Sequence, residues 1–145
     1  MVVLVHMTAD GRCAVTYPAK GYSLDAVIES LRRPGHNDRI PDGVEPVQMD
    51  AADVLPEPHY RGARKLEGEK VVHDMTRARE IHRNRIRSTR AGLMNDLDTQ
   101  FMRALETGSD TKDIVAEKQR LRDAPAHPDI DKAQTVDDLK RVWPL

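Results

Sequence analysis

DMTRAREIHRNRIRSTRAGLMNDLDTQFMRALETG, residues 74–108, is the stretch whose reading decides the fold. It has no proline, and Met75, Ala78, His82, Ile86, Leu93, Leu97, Phe101 and Ala104 recur at spacings of three, four or seven. That is one apolar stripe along a helix of about 30 residues. The stripe is interrupted at Arg90, beside Gly92, where the helix is expected to bend or weaken, because a mid-helix glycine costs about 1 kcal/mol relative to alanine. Gly108 is a stop signal, and Ser109 is the expected cap of a second helix through Ile114, Val115, Lys118 and Leu121. So short a connection makes the two helices antiparallel neighbours. Residues 75–124 therefore read as an αα-hairpin in which the second helix pairs with the distal half of the first.

The first half of the long helix then has no partner within the hairpin. Its stripe of Met75, Ala78, Ile81 and Ile86 has to be buried on the N-terminal part of the chain or on another copy, because an isolated helix gains most of its stability from packing. Self-association is the expectation. Beyond the hairpin, Pro125 and Pro128 are expected to end regular structure. Thr135-Val-Asp-Asp138 has the form of a capping box for a last short helix that ends at Trp143-Pro144.

Ahead of the helix the character is different. Residues 2–7 are rich in Val and read as a strand, Ala9-Asp10-Gly11-Arg12 as a turn and Cys13–Tyr17 as the returning strand, since Asp-Gly between β-prone runs marks a hairpin. Ser23 is a plausible N-cap for a helix that carries Leu24, Val27, Ile28 and Leu31 and stops at Pro34-Gly35. The run Val44–Met49 contains Pro46, which has no N–H to donate, so it belongs at a sheet edge. Residues 63–66 and 70–73 read as a second hairpin around Glu67-Gly68-Glu69. The fold class is α+β. Residues 1–73 form a small antiparallel sheet with one helix, and residues 74–145 form a long-helix hairpin, a short terminal helix and a Trp-Pro tail.

Composition bounds the function. The 145 residues are 39% hydrophobic and 3% aromatic, so a core has to be built from aliphatic side chains, and 32% are charged, which suits long solvent-facing helices. The net charge of −1 conceals an uneven distribution. Residues 1–60 carry 5 basic and 9 acidic side chains, residues 61–90 carry 10 and 4, and residues 91–145 carry 8 and 11. A basic island between acidic flanks can meet phosphate, an acidic partner or the chain's own ends. Cys13 is the single cysteine, which excludes an intramolecular disulfide and suits a reducing cytoplasm. The opening run Met1–His6 is too short and lacks the basic flank of a signal peptide, and no run is long enough to span a membrane.

Candidates for chemistry are few. Arg77, Arg79, Arg83, Arg85, Arg87 and Arg90 have the charge density that phosphate wants, but helical geometry spreads them around the surface and no aromatic residue interleaves for base stacking. No histidine lies four residues from another, so helical metal-ligand spacing is missing. Asp137 and Asp138 are accounted for by helix capping, and Cys13 has no nearby histidine in sequence and reads as a small buried residue. The expectation is a non-enzymatic protein without cofactor or metal. The candidate partner-binding residues are Met75, Ile81 and Ile86 of the stripe, Arg83, Arg87 and Arg90 of the basic surface, and Trp143, a residue type enriched in interface hot spots.

Ala78-Arg-Glu-Ile-His-Arg83, Ile86-Arg87, Leu97-Asp98, Phe101–Glu106, the run Lys118-Gln-Arg-Leu-Arg-Asp-Ala-Pro125, and Leu139-Lys140 with Val142-Trp143-Pro144 together resemble a family of small tailed-bacteriophage proteins. These proteins occur in tail-gene neighbourhoods and are described as tail-fibre assembly or tail assembly chaperone-like proteins. The resemblance covers about residues 75–144, and its most telling element is the Lys-Gln-x-Leu-Arg-Asp-x-Pro run followed by Trp-Pro. It implies a protein made in the infected bacterial cytoplasm that binds phage tail or tail-fibre proteins, in several copies or as a homo-oligomer, with residence in the virion tail slightly favoured. Two other readings stand beside it: an assembly chaperone absent from the particle, and a nucleic-acid-binding regulator that uses the Arg-rich helix.

Overall fold

The computed structural model describes residues 1–54 and 56–145. The chain is mixed α and β, with a small antiparallel sheet and several helices, one of them long. It divides into two compact units, Met1–Asp74 and Met75–Leu145.

In the first unit, strand β1 (Val2–Met7) lies between β2 (Cys13–Thr16) and β3 (Val47–Asp50), both antiparallel to it. Residues 3–6 of β1 are all buried, which explains why the strand is a continuous apolar run and does not alternate. Val3 and Val5 face one way and pack with Val54 and Val71. Leu4 faces the other way and packs with Leu31 and Ile40, flanked by Leu24, Val27 and Ile28 of helix α1 (Leu24–Arg32). Ser23 Oγ accepts from the Ala26 N–H at 3.2 Å and caps α1. Pairing of β3 begins at Val47, directly after Pro46, and β3 lies at the sheet edge. Strands β4 (Arg64–Glu67) and β5 (Lys70–His73) form a separate two-stranded hairpin turned at Gly68, whose φ of 59° falls in the left-handed region.

The second unit is built on α2 (Met75–Thr107), 33 residues and about 50 Å long. It runs without interruption through Gly92, the position where a bend or weakening was expected. Gly108, at φ 68°, ends it in a paired cap, with Gly108 N–H donating to the Leu105 carbonyl at 3.2 Å and Ser109 N–H to the Ala104 carbonyl at 2.8 Å. Because Ser109 is consumed by this cap and its hydroxyl pairs with Thr107, helix α3 (Lys112–Asp123) starts later than the sequence suggests, with Thr111 at its N-cap.

A second correction concerns the prolines. Pro128 opens a short helix, α4 (Pro128–Lys132), where regular structure was expected to stop. Proline is well tolerated at the first helical position, and His127 Nδ1 accepts from the Asp129 N–H at 3.3 Å. Helix α5 (Val136–Arg141) carries the capping box, with Asp138 N–H on Thr135 Oγ1 and Thr135 N–H on Asp138 Oδ2, each at 3.1 Å. It ends before Trp143.

Candidate functional site

The candidate residues lie on α2 and on the tail after α5. Ala78, His82 and Ile86, one helical turn apart, are wholly enclosed. The cover comes from the same chain: α2 packs against the turn Ala124–Ala126 and against α5. The first half of α2 is therefore not a vacant surface, and the argument for self-association drawn from it loses its premise. Ile86 is unavailable to a partner because it is core, and Met75 and Ile81 are half-buried.

Several of the arginines fasten this cover. Arg79 donates to the Ala133 carbonyl at 2.8 Å, and Arg83 pairs with Asp131 while lying 3.9 Å from Glu80. Arg90 donates to the carbonyls of Leu121 and Arg122 at 2.9 and 2.6 Å, at the C-terminal end of α3 where the helix leaves carbonyls without intrahelical donors. Arg83 and Arg90 are thus half-buried structural cations. Arg87 is exposed and paired along its own helix with Glu80 at 2.8 Å and Asn84 at 2.6 Å. Of the six clustered arginines, Arg79, Arg83 and Arg90 are thus engaged by the chain's own C-terminal part.

His82 holds the tail. Its Nε2 lies 2.7 Å from the Val142 carbonyl, so this nitrogen carries the proton and donates. Burial lowers the imidazole pKa, with Arg85 and Arg83 adding to the effect and the Val142 hydrogen bond opposing it. The ring is therefore neutral near pH 7. Trp143 stands edge-on to His82, with centroids 5.6 Å apart at 73°, and the Arg85 guanidinium lies 5.4 Å from the indole centroid. Arg120 donates to the Pro144 carbonyl at 2.8 Å. Trp143 is folded back and remains 39% exposed.

Compared with known proteins, the chain matches no family model, no curated protein and no solved structure. The arrangement itself is that of a tail clamped onto a helix. Among the described residues no three of His, Cys, Asp or Glu gather where they could hold a metal ion, and no helix is long and apolar enough to cross a membrane.

The outer half of α2 contrasts with this clamp. Lys118 of α3 pairs with Asp98 and lies 5.1 Å from the Phe101 ring centroid, yet Leu97, Phe101 and Ala104 are only half-buried. Around them Leu93, Met102, Leu105 and Val115 are exposed by 41% to 55%. Sequence spacing draws attention to the inner half of α2, whereas accessible apolar side chains concentrate in the outer half. The signal was present in the sequence: Leu93 belongs to the stripe and Met102 and Leu105 lie on the same helix, but α3 has too few large apolar side chains to cover them all.

Proposed function

We propose that this chain is a non-enzymatic tailed-phage protein that binds tail or tail-fibre subunits as a structural or adaptor component of the tail, using the N-terminal unit and the helical hairpin as two binding surfaces. The observation that carries the reading is the resemblance of about residues 75–144, in particular the Lys118–Pro125 run and Trp143-Pro144. In this chain Leu121 and Pro125 are buried, and Trp143 seals the tail against His82. Those two most telling elements thus belong to the clamp, and the contact surface is assigned to exposed side chains: Leu93, Met102, Leu105 and Val115, with Arg87 and the open edge of Trp143. Phosphate binding by the Arg-rich helix gains little support, because Arg79, Arg83 and Arg90 donate to their own chain.

Quantitative mass spectrometry of purified particles of the encoding phage tests the reading. A fixed whole-number ratio to the major tail proteins is the expected result. Presence only in the infected-cell lysate, bound to tail or fibre subunits, moves the reading to an assembly chaperone. Absence from particles together with no association with any tail protein overturns both.

A further inference from the structure

The sheet order β2-β1-β3 leaves β2 with one edge on β1 and the other without a strand partner among the described residues. A groove of about 740 Å³ is lined by Cys13, Ala14 and Val15 of β2. Successive side chains of a strand point to opposite faces, so a cavity lined by Cys13, Ala14 and Val15 in succession has to meet the strand along its edge. An antiparallel edge strand aims the N–H and C=O of alternate residues outward, which is a template for another extended chain.

Three arginines and one carboxylate, Asp38, line the groove. Arg61 and Arg64 line the groove; Arg64 is 8% exposed, and Arg61 has no carboxylate partner among the described residues. Arg12 also lines it, already engaged by Asp10 at 2.7 Å and Asp38 at 3.0 Å. The unit as a whole carries 9 basic and 12 acidic residues over positions 1–74, so the positive charge at this groove is local. Burial pushes the Arg64 guanidinium pKa down; Tyr17 and Cys13 oppose the shift and the neighbouring Arg61 adds to it. Tyr17, 53% exposed, stands at the end of the strand as an aromatic contact.

We propose that this groove takes an extended acidic segment of a partner protein, which adds as a strand to the free edge of Cys13–Thr16 and places a carboxylate on Arg61. A second copy of this chain is a poor occupant, because β2 contains no carboxylate and its pairing with itself would bring Arg12 and Arg61 of two copies together. The inference deepens the protein-binding reading above and rests only on its claim that the N-terminal unit meets a protein.

The test uses the full chain, isotopically labelled, titrated with a short capped peptide of alternating Val and Glu. Expected are shifts of the Cys13–Thr16 backbone amides, slowed exchange of those facing outward, affinity that falls with salt, and about tenfold or greater weakening by Arg61→Glu. The same peptide N-methylated at alternate residues is expected not to bind. Unmoved amides at millimolar peptide overturn the proposal, as does equal binding of a Val-Lys peptide. Inorganic phosphate reproducing the shifts without slowed exchange would reduce the groove to an anion pocket and overturn strand addition, and a dimer of the free chain blocked by Arg61→Glu would assign the edge to a second copy. Failure here leaves the particle measurement untouched, so the two readings fail separately.

Discussion

Along α2, Ala78, His82 and Ile86 are wholly enclosed, whereas Leu97, Phe101 and Ala104, at comparable helical spacing, are half-buried beside exposed Leu93, Met102 and Leu105. The difference lies in what returns to cover each half. The inner half receives the turn Ala124–Ala126, helix α5 with its buried Val136 and Leu139, and Trp143. The outer half receives only α3, a largely polar helix whose single wholly buried residue is Leu121. A periodic stripe states which side of a helix is apolar, and the volume of the returning chain decides which part of that side becomes core.

The comparison can be broken most forcefully at Ile86. Ile86→Asp places an unpaired charge in a closed site and is expected to cost about 4 kcal/mol or more, read as loss of the thermal transition by circular dichroism. Phe101→Asp is expected to cost about half as much, because the ring is already half in water. Equal damage from both would mean that the two halves of α2 are packed alike.

Trp143→Ala tests the clamp itself. Loss of the indole contact with His82 and Arg85 is expected to lower stability by about 2 kcal/mol, measured by chemical denaturation. An unchanged midpoint would show that the tail is not seated in solution.

Acid comes next. Burial also lowers the pKa of His6, whose Nε2 lies 3.0 Å from the Asp38 carbonyl; the Asp38 hydrogen bond and carboxylate oppose the shift and His36 adds to it. For both His6 and His82 the folded pKa lies below the unfolded value of about 6.5, so the unfolded chain takes up the proton first. Stability is fully present above pH ~6.5 and falls as the pH drops below it, by up to about 1.4 kcal/mol per histidine per pH unit. Denaturant titrations at neutral and mildly acid pH read this, and His82→Gln should remove part of the dependence. A flat profile would mean that neither ring is held neutral by burial.

The smallest effect is expected where the helix is open. Met102→Ser and Leu105→Ser should change stability by no more than about 0.5 kcal/mol. Under the proposed function the same pair should weaken capture of tail or fibre subunits in a pull-down. A large loss of stability from either would show these side chains to be core.

Legibility followed the range of the interactions. The small antiparallel sheet and the long helix are written in local pattern: a Val-rich run that is buried on both faces, and a proline-free apolar stripe. The Thr135–Asp138 capping box is likewise complete within four residues. Of the candidate site, Trp143 folds back as a terminal tryptophan usually does, but its seat on His82 is set by a bond spanning 60 residues, which no spacing rule contains. Arg79 and Arg90 were conspicuous as charge and illegible as donors, because their acceptors are main-chain carbonyls, which every sequence supplies everywhere. Arg61 and Arg64 escaped notice for a similar reason, since they meet β2 only after the chain has turned back through residues far from it.

By itself the sequence determined the elements whose causes lie within a few residues, namely the periodicity of α2, the cap at Thr135 and the pairing limit imposed by Pro46. Only the tertiary structure decided which half of α2 is closed, where the arginines point and which strand edge stays open. Those outcomes depend on where distant segments return, a competition among burial, helix length and loop path that is settled over the whole chain and not within any window of it.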